Sequence, residues 1–310
     1  MSTGQFFATC FCELSSLHFF TKSLHKKLLV TWALSAYAYS AFKPFSHLYR
    51  LSSDFNHLQG KIMRFLMTIL LMMALLATNA SAELPKKVLI VLSNMIDMGD
   101  PKKHDARNNL WEFAPPYHVF VSHGFEVDFV SPKGGEVEFM MDPLGISSYT
   151  IKYEGFMDKA KNSFTSKQIE PSDYWGVYIG GGYGSLFDVA NNKELQLIIA
   201  KIYESGGIIG GGGHGPGAFA NVVLSTGEFL VKGKKVAGFP DSTEKSKSWA
   251  KQGSLLPFFV ESQLNKNGAI AQNKQTLKDK HEVVIDQRIV STMFLPSAAL
   301  VAKEMIILNK

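Results

Sequence analysis

The stretch Ile208-Ile209-Gly210-Gly211-Gly212-Gly213-His214-Gly215-Pro216-Gly217-Ala218-Phe219 decides the fold. Two β-branched residues end a buried strand, a run of glycines turns the backbone, and Pro216 stands where a helix begins. Proline is tolerated there because the first N–H groups of a helix have no intrahelical partner. A strand, a sharp turn and a helix N-terminus make a nucleophile elbow. That geometry lifts one side chain above a parallel sheet, beside backbone donors and the positive end of a helix dipole. The tip of the elbow is Gly213, immediately before His214, and glycine has nothing to lift.

Upstream, residues 88–92 form a continuous apolar run of the kind expected for a central parallel strand. A polar loop over 93–108 follows. A helix is then expected from Asn109, with Leu110, Phe113, Tyr117, Phe120 and Val121 at helical spacing and His123-Gly124 as its stop. Residues 125–130 read as a strand, 136–172 as an insertion with a short helix near 158–162, and 174–179 as a strand entering Gly180-Gly181-Gly182-Tyr183-Gly184. Residues 194–203 are an amphipathic helix closed by Ser205-Gly206-Gly207. Downstream of the elbow, 229–239 reads as a hairpin or two short strands around Gly233. Beyond it come a helix at 258–264, strands at 269–272 and 283–289, and a closing helix at 297–308 with Ser297 as N-cap. Strands alternating with helices predict a single doubly wound α/β domain, flavodoxin-like, with a mostly parallel sheet and ligand contacts at the strands' carboxyl ends.

Charge and cysteine usage narrow the function. The net charge of +5 comes from the N-terminal part: seven of the 32 Lys/Arg but only two of the 27 Asp/Glu lie in residues 1–82. Residues 83–310 therefore hold 25 of each sign, with no basic excess to argue for nucleic acid. Cys10 and Cys12 are the only cysteines, so the body has no thiol, no disulfide and no cysteine-bound metal site. Met63-Arg64, an uncharged run to Ala82 and the terminal Ala80-Ser81-Ala82 fit a secretory signal peptide over 63–82. The expected organisation is a non-native upstream extension at 1–62, this signal, and the α/β domain at 83–310. Export to the periplasm or medium follows, with Glu83 as the first mature residue and membrane contact only through the signal. A second apolar run at 28–42 is the alternative signal or anchor.

The chain resembles the PfpI superfamily, which has a class I glutamine amidotransferase-like fold, and within it the chaperone and glyoxalase III (D-lactate dehydratase) branch. The resemblance is carried by Trp111-Glu112-Phe113-Ala114-Pro115-Pro116-Tyr117, the stretch Gly124-Phe125-Glu126-Val127-Asp128-Phe129-Val130-Ser131-Pro132-Lys133-Gly134-Gly135, and Asp142-Pro143. Asp173-Tyr174, the glycine turn ending at Gly184, Phe187-Asp188 and His214-Gly215-Pro216 continue it. It implies a Cys–His pair at the elbow, a glutamate from the first helix and an acid after the following strand. These fall on Gly213, His214, Glu112 and Glu244, with Asp241 as the alternative acid. The cysteine position is thus glycine. Tyr183 stands where the branch has histidine, Asn94 replaces the usual loop residue, and Ser291-Thr292-Met293-Phe294-Leu295-Pro296 replaces a Gly-Gln-Asn-Pro segment.

Each candidate has a plainer reading. Glu112 could be a solvated helix carboxylate, and His214 a turn histidine bonded to backbone. The N–H groups of Gly181, Gly182 and His214 suit an oxyanion donor set or belong to mere turns. Without a nucleophile, His214 and Glu244 are a base and its orienter, which leaves acid–base work on bound substrate or water. The leading expectation is a Cys-less, non-catalytic binder of a small molecule such as a reactive aldehyde, or a stress-related holdase. Gly181, Gly182, Tyr183 and Gly213 would line its pocket. The alternative is a hydro-lyase or hydrolase of small aldehydes using Glu112, His214 and Glu244. No cofactor and no metal are expected, and the resemblance implies a homodimer. Gly213→Cys is the substitution that asks whether only the nucleophile was lost.

Overall fold

The computed structural model describes residues 63, 65–68, 86–140, 145, 147–248, 255–279 and 281–308. The expected upstream extension, the apolar run at 28–42, Cys10, Cys12, the cleavage site at Ala82 and the Asp142-Pro143 motif lie outside them. The chain divides into two compact units, Met1–Ala82 and Glu83–Lys310. In the first, residues 65–68 are helical. Among the described residues no helix is long and apolar enough to cross a membrane.

The second unit is the α/β domain. In chain order its elements are β1 (Lys87–Val91), α1 (Leu110–Ser122), β2 (Glu126–Val130), α2 (Ser148–Tyr153), α3 (Phe156–Lys161), β3 (Gly176–Ile179), α4 (Lys193–Glu204), β4 (Ile208–Gly212) and α5 (Gly215–Ala220). They continue with β5 (Lys235–Ala237), α6 (Asp241–Lys245), α7 (Val260–Lys266), β6 (Ile270–Gln272), β7 (Val284–Asp286), β8 (Ile289–Thr292) and α8 (Ala298–Ile307). The main sheet has the order β2-β1-β3-β4-β8-β7. All its pairings are parallel except the β7–β8 edge.

Side chains alternate across a strand, so one strand feeds two cores. Leu89 and Val91 of β1 face the layer that holds Leu195, Ile199 and Phe219 of α4 and α5. Val88 and Ile90 face Phe113, Tyr117, Val301 and Met305 of α1 and α8. Both layers are buried, which is why β1 and β3 read as unbroken apolar runs.

Two expectations about strands fail. Residues 229–239 form turns and then β5, whose partner is the parallel β6, not a neighbouring hairpin strand. Gly233, at φ +72°, turns the chain, and α7 returns it so that β6 lies alongside. The run at 283–289 is two strands: Gln287 adopts φ +52° and folds β7 back antiparallel on β8. Ser297 does precede α8, but its side chain makes no capping bond and it closes a 3-10 turn over Leu295–Ser297. The short helix in the insertion is α3, two residues earlier than expected, with α2 before it.

Candidate active site

Everything that converges on the elbow sits at the carboxyl ends of β3 and β4. β4 stops at Gly212, Gly213 turns at φ +54°, and His214 is the cap of α5. The turn is tied from both sides. The Gly213 N–H donates to the Thr292 carbonyl at the end of β8 (3.1 Å), and the Gly213 carbonyl accepts from the Phe239 N–H (2.8 Å). An elbow residue held in the left-handed region is strained unless it is glycine.

His214 is 6% exposed and lies between two rings: it stacks on Phe239 (4.5 Å, 20°) and meets Tyr183 at 4.6 Å. Its Nε2 is 2.8 Å from Glu244 Oε2. A carboxylate accepts, so Nε2 is the donor of this pair. Glu244 comes from α6, follows Pro240 and is itself buried. Its second oxygen, Oε1, accepts from the Tyr183 hydroxyl (2.9 Å). Burial and the adjacent Glu244 carboxylate push the Tyr183 phenol far up, so it remains a donor. Asp241, the alternative acid, points elsewhere: it accepts from Ser262 and pairs with Lys245 at 3.6 Å.

Glu112 reaches the elbow from the first turn of α1, whose N-cap Asn109 accepts from the Trp111 N–H (3.2 Å). Two prolines, Pro115 and Pro116, lie inside this helix. Proline has no N–H to give the carbonyl four residues back. Pro116 therefore strips the Glu112 carbonyl of its helical partner, and the buried Tyr178 hydroxyl of β3 replaces it at 2.8 Å. Tyr178 thus pins the residue that carries the carboxyl. Sequence reading missed Tyr178, although the Pro-Pro pair within a helical pattern signals that some other donor must serve the freed carbonyls.

The Glu112 carboxyl has no solvent contact, and neither oxygen makes a hydrogen bond. Burial drives its pKa well above the ordinary glutamate value. The Gly181 N–H and the Asn109 side chain pull weakly the other way, without reaching bonding geometry. Burial therefore favours the neutral form of the acid. Gly181 and Gly182 stand close to α1 and its entry. A Cβ at 181 would lie 2.3 Å from both Glu112 oxygens, and one at 182 would lie 2.6 Å from the Arg107 carbonyl oxygen. The Gly181 N–H faces the Glu112 carboxyl. Among the described residues no group of three or more His, Cys, Asp or Glu stands close enough to hold a metal ion.

A doubly wound parallel sheet with a glycine elbow, a His–Glu pair and a buried helix carboxyl at its carboxyl edge defines a class of α/β protein with a strand-end site. Residues 106–306 match the DJ-1/PfpI family, and the chain belongs to it. It is similar to a glutathione-independent glyoxalase of Saccharomyces cerevisiae, 32% identical over 171 residues, which are 52% of this chain and 71% of the relative. Glyoxalase 3 of Candida albicans is 31% identical over 209 residues, 63% of this chain and 86% of the relative. The solved structure of glyoxalase III from Candida albicans superposes with a TM-score of 0.61 at 27% identity, covering 72% of this chain and 97% of that one.

Proposed function

We propose that the elbow acts on small 2-oxoaldehydes by acid–base chemistry alone, converting them with water to 2-hydroxy acids. The observation that carries this reading is the pair of proton carriers at one turn: the buried Glu112 carboxyl beside Gly213, and His214 held by Glu244. The relatives named as glyoxalases favour turnover over the simple binding expected from the sequence.

Gly213 offers no nucleophile, so water takes that part. Water adds to the aldehyde carbon and gives the hydrate. His214 Nδ1 then removes the hydrogen on that carbon while the Glu112 carboxyl protonates the neighbouring carbonyl oxygen, leaving an enediol. Return of that proton from His214 to the second carbon, with one hydroxyl proton of the first carbon passing back to Glu112, gives the 2-hydroxy acid and restores both groups. One water is consumed and one proton moves between adjacent carbons, so no external oxidant is required. Acid–base catalysis of this kind is worth about 10²–10⁴-fold.

Steady-state assay of methylglyoxal and glyoxal, with the hydroxy acid as product, tests the reading. His214→Ala is expected to lower turnover by about 100-fold or more. A second reading, binding without turnover, is favoured by the bare tip at Gly213. Saturable aldehyde binding with no product in the native protein assigns the site to that reading and overturns the catalytic one. We also propose export through the segment 63–82, supported by its basic start, apolar run and Ala80-Ser81-Ala82 end. N-terminal sequencing of the secreted protein is expected to begin at Glu83, and retention of Met63 in the mature protein overturns it.

A further inference from the structure

Glu244, the acid bonded to His214, belongs to α6, a helix of five residues. Isolated helices of fewer than about 12 residues are marginal in water, so the place of Glu244 is set by what α6 leans on. That support is the first turn of α7. Asp241, the first residue of α6, accepts from the Ser262 N–H (3.3 Å) and from the Ser262 hydroxyl. Glu261, one residue before Ser262, returns the contact: its Oε2 accepts from the Asp241 N–H (3.2 Å). Each helix thus lends a carboxylate to an N–H group that the other leaves without an intrahelical partner. Lys245 Nζ, 3.6 Å from Asp241 Oδ2, offsets part of the negative charge gathered there. Asn273, just beyond β6, donates to the other Glu261 oxygen at 2.6 Å and ties the segment after β6 to the same joint.

α7 is seated in turn on the elbow. A Cβ added to Gly217 of α5 would lie 3.1 Å from a methyl group of Val260, the first residue of α7, and one added to Gly238 would lie 2.5 Å from the other. The elbow helix, the approach to α6 and the first turn of α7 therefore share one joint, in which Glu261 takes part through Asp241 and Asn273.

We propose that Glu261 and Asp241 are positioning residues for His214: their crossed caps fix α6 on α7, and with it the seat of the Glu244 carboxylate on the imidazole. The effect on turnover rests on the reading of His214 as a base, whereas the effect on the His214–Glu244 bond does not. Tyr183 holds the second Glu244 oxygen from the opposite turn, so loss of one cap displaces the carboxylate without freeing it.

Nuclear magnetic resonance of the full-length protein with ring-15N histidine reads that bond with no substrate present. The His214 ring signals are assigned by their loss in His214→Gln. Glu261→Ala takes the acceptor from the Asp241 N–H, and it is expected to move both ring 15N shifts. It is also expected to lower kcat for methylglyoxal about ten-fold with KM close to native, the signature of a misplaced base. Glu261→Gln keeps an oxygen for the same N–H and is expected to restore the shifts and the rate. Should Glu261→Ala fold poorly, Ser262→Ala cuts the other arm of the joint and is expected to move the same signals in the same direction. Unmoved His214 signals in the folded alanine variants overturn the inference, even where urea resistance falls, because the crossed caps then serve stability alone. Native turnover in a variant whose signals have moved overturns it as well. Moved signals in a protein that shows no turnover in its native form leave the positioning role standing and remove the catalytic reading of the elbow.

Discussion

Two glycine turns close the central strands, and they are glycine for different reasons. At the end of β3, Gly182 adopts φ +114° and lies against backbone: a Cβ there would meet the Arg107 carbonyl oxygen at 2.6 Å and the Asn108 Cα and Asn109 N at 3.1 Å. At the end of β4, Gly213 adopts φ +54° and lies against the end of one side chain, the Glu112 carboxyl. The first glycine lets the loop entering α1 approach the sheet. The second leaves a place that an acid fills. A glycine-rich turn in a sequence therefore does not say whether it serves the frame or the site. The neighbouring atoms do.

The sharpest way to break this contrast is Gly182→Ala. Its backbone angle is one that side-chain-bearing residues rarely adopt, at about 1–3 kcal/mol, and the clash with unyielding main chain adds a comparable overpacking term. The expected loss is about 3 kcal/mol or more, read from urea unfolding. Gly213→Ala is expected to cost less, about 1–2 kcal/mol, because its backbone lies in the left-handed well and its steric opponent is a side chain. Equal midpoints for the two variants would dissolve the distinction between frame and site.

The division between frame and site is also a division in legibility. The doubly wound fold is readable from the sequence because β1, β3 and β4 are buried on both faces and appear as apolar runs, and because α1 and α4 keep helical spacing. The hairpin of β7 and β8 is hidden because its turn is made by Gln287, a residue that does not advertise a left-handed backbone. The partner of β5 is hidden because it arrives through α7, beyond any local pattern. At the site, His214 is legible from the elbow itself, but Glu112 and Glu244 only from motif resemblance. Their meeting depends on tertiary approach: α6 delivers Glu244 to His214 across 30 residues, and Tyr178 reaches Glu112 across 66. The rivalry of residue 213 with a carboxyl 101 positions earlier has no trace in local sequence.

Glu112 sharpens the contrast through pH. Its folded pKa is raised by burial, so below the ordinary glutamate range both folded and unfolded chains hold the proton and nothing is lost. Above that range only the folded chain must hold it, and stability falls with rising pH until the folded pKa is passed. The slope from one such group is at most about 1.4 kcal/mol per pH unit. Glu112→Gln keeps a neutral group of similar shape and removes this dependence. Urea unfolding between pH 4 and 8 is expected to show the variant gaining on the native protein as pH rises. Parallel curves would mean that the carboxyl is ionised in place, and that the site at 213 is not built round a neutral acid.

The smallest effect is expected one residue beyond Gly182, in the same turn. Tyr183 contributes its hydroxyl to Glu244 Oε1 and its ring to the face of His214. Tyr183→Phe keeps the ring and deletes the bond, and the partly exposed position lets water compensate, so the stability cost is about 1 kcal/mol. The functional cost is expected to differ in kind. With one oxygen released, Glu244 is free to rotate about its bond to His214, and the imidazole loses part of the orientation that keeps Nδ1 aimed at a substrate. Turnover is expected to drop several-fold with its pH profile displaced, while KM for methylglyoxal stays close to native. A stability loss without any movement of the pH profile would place Tyr183 with Gly182, in the frame. A displaced profile places two adjacent residues of one turn on opposite sides of the division, because Gly182 faces main chain whereas Tyr183 faces the acid that orients the histidine.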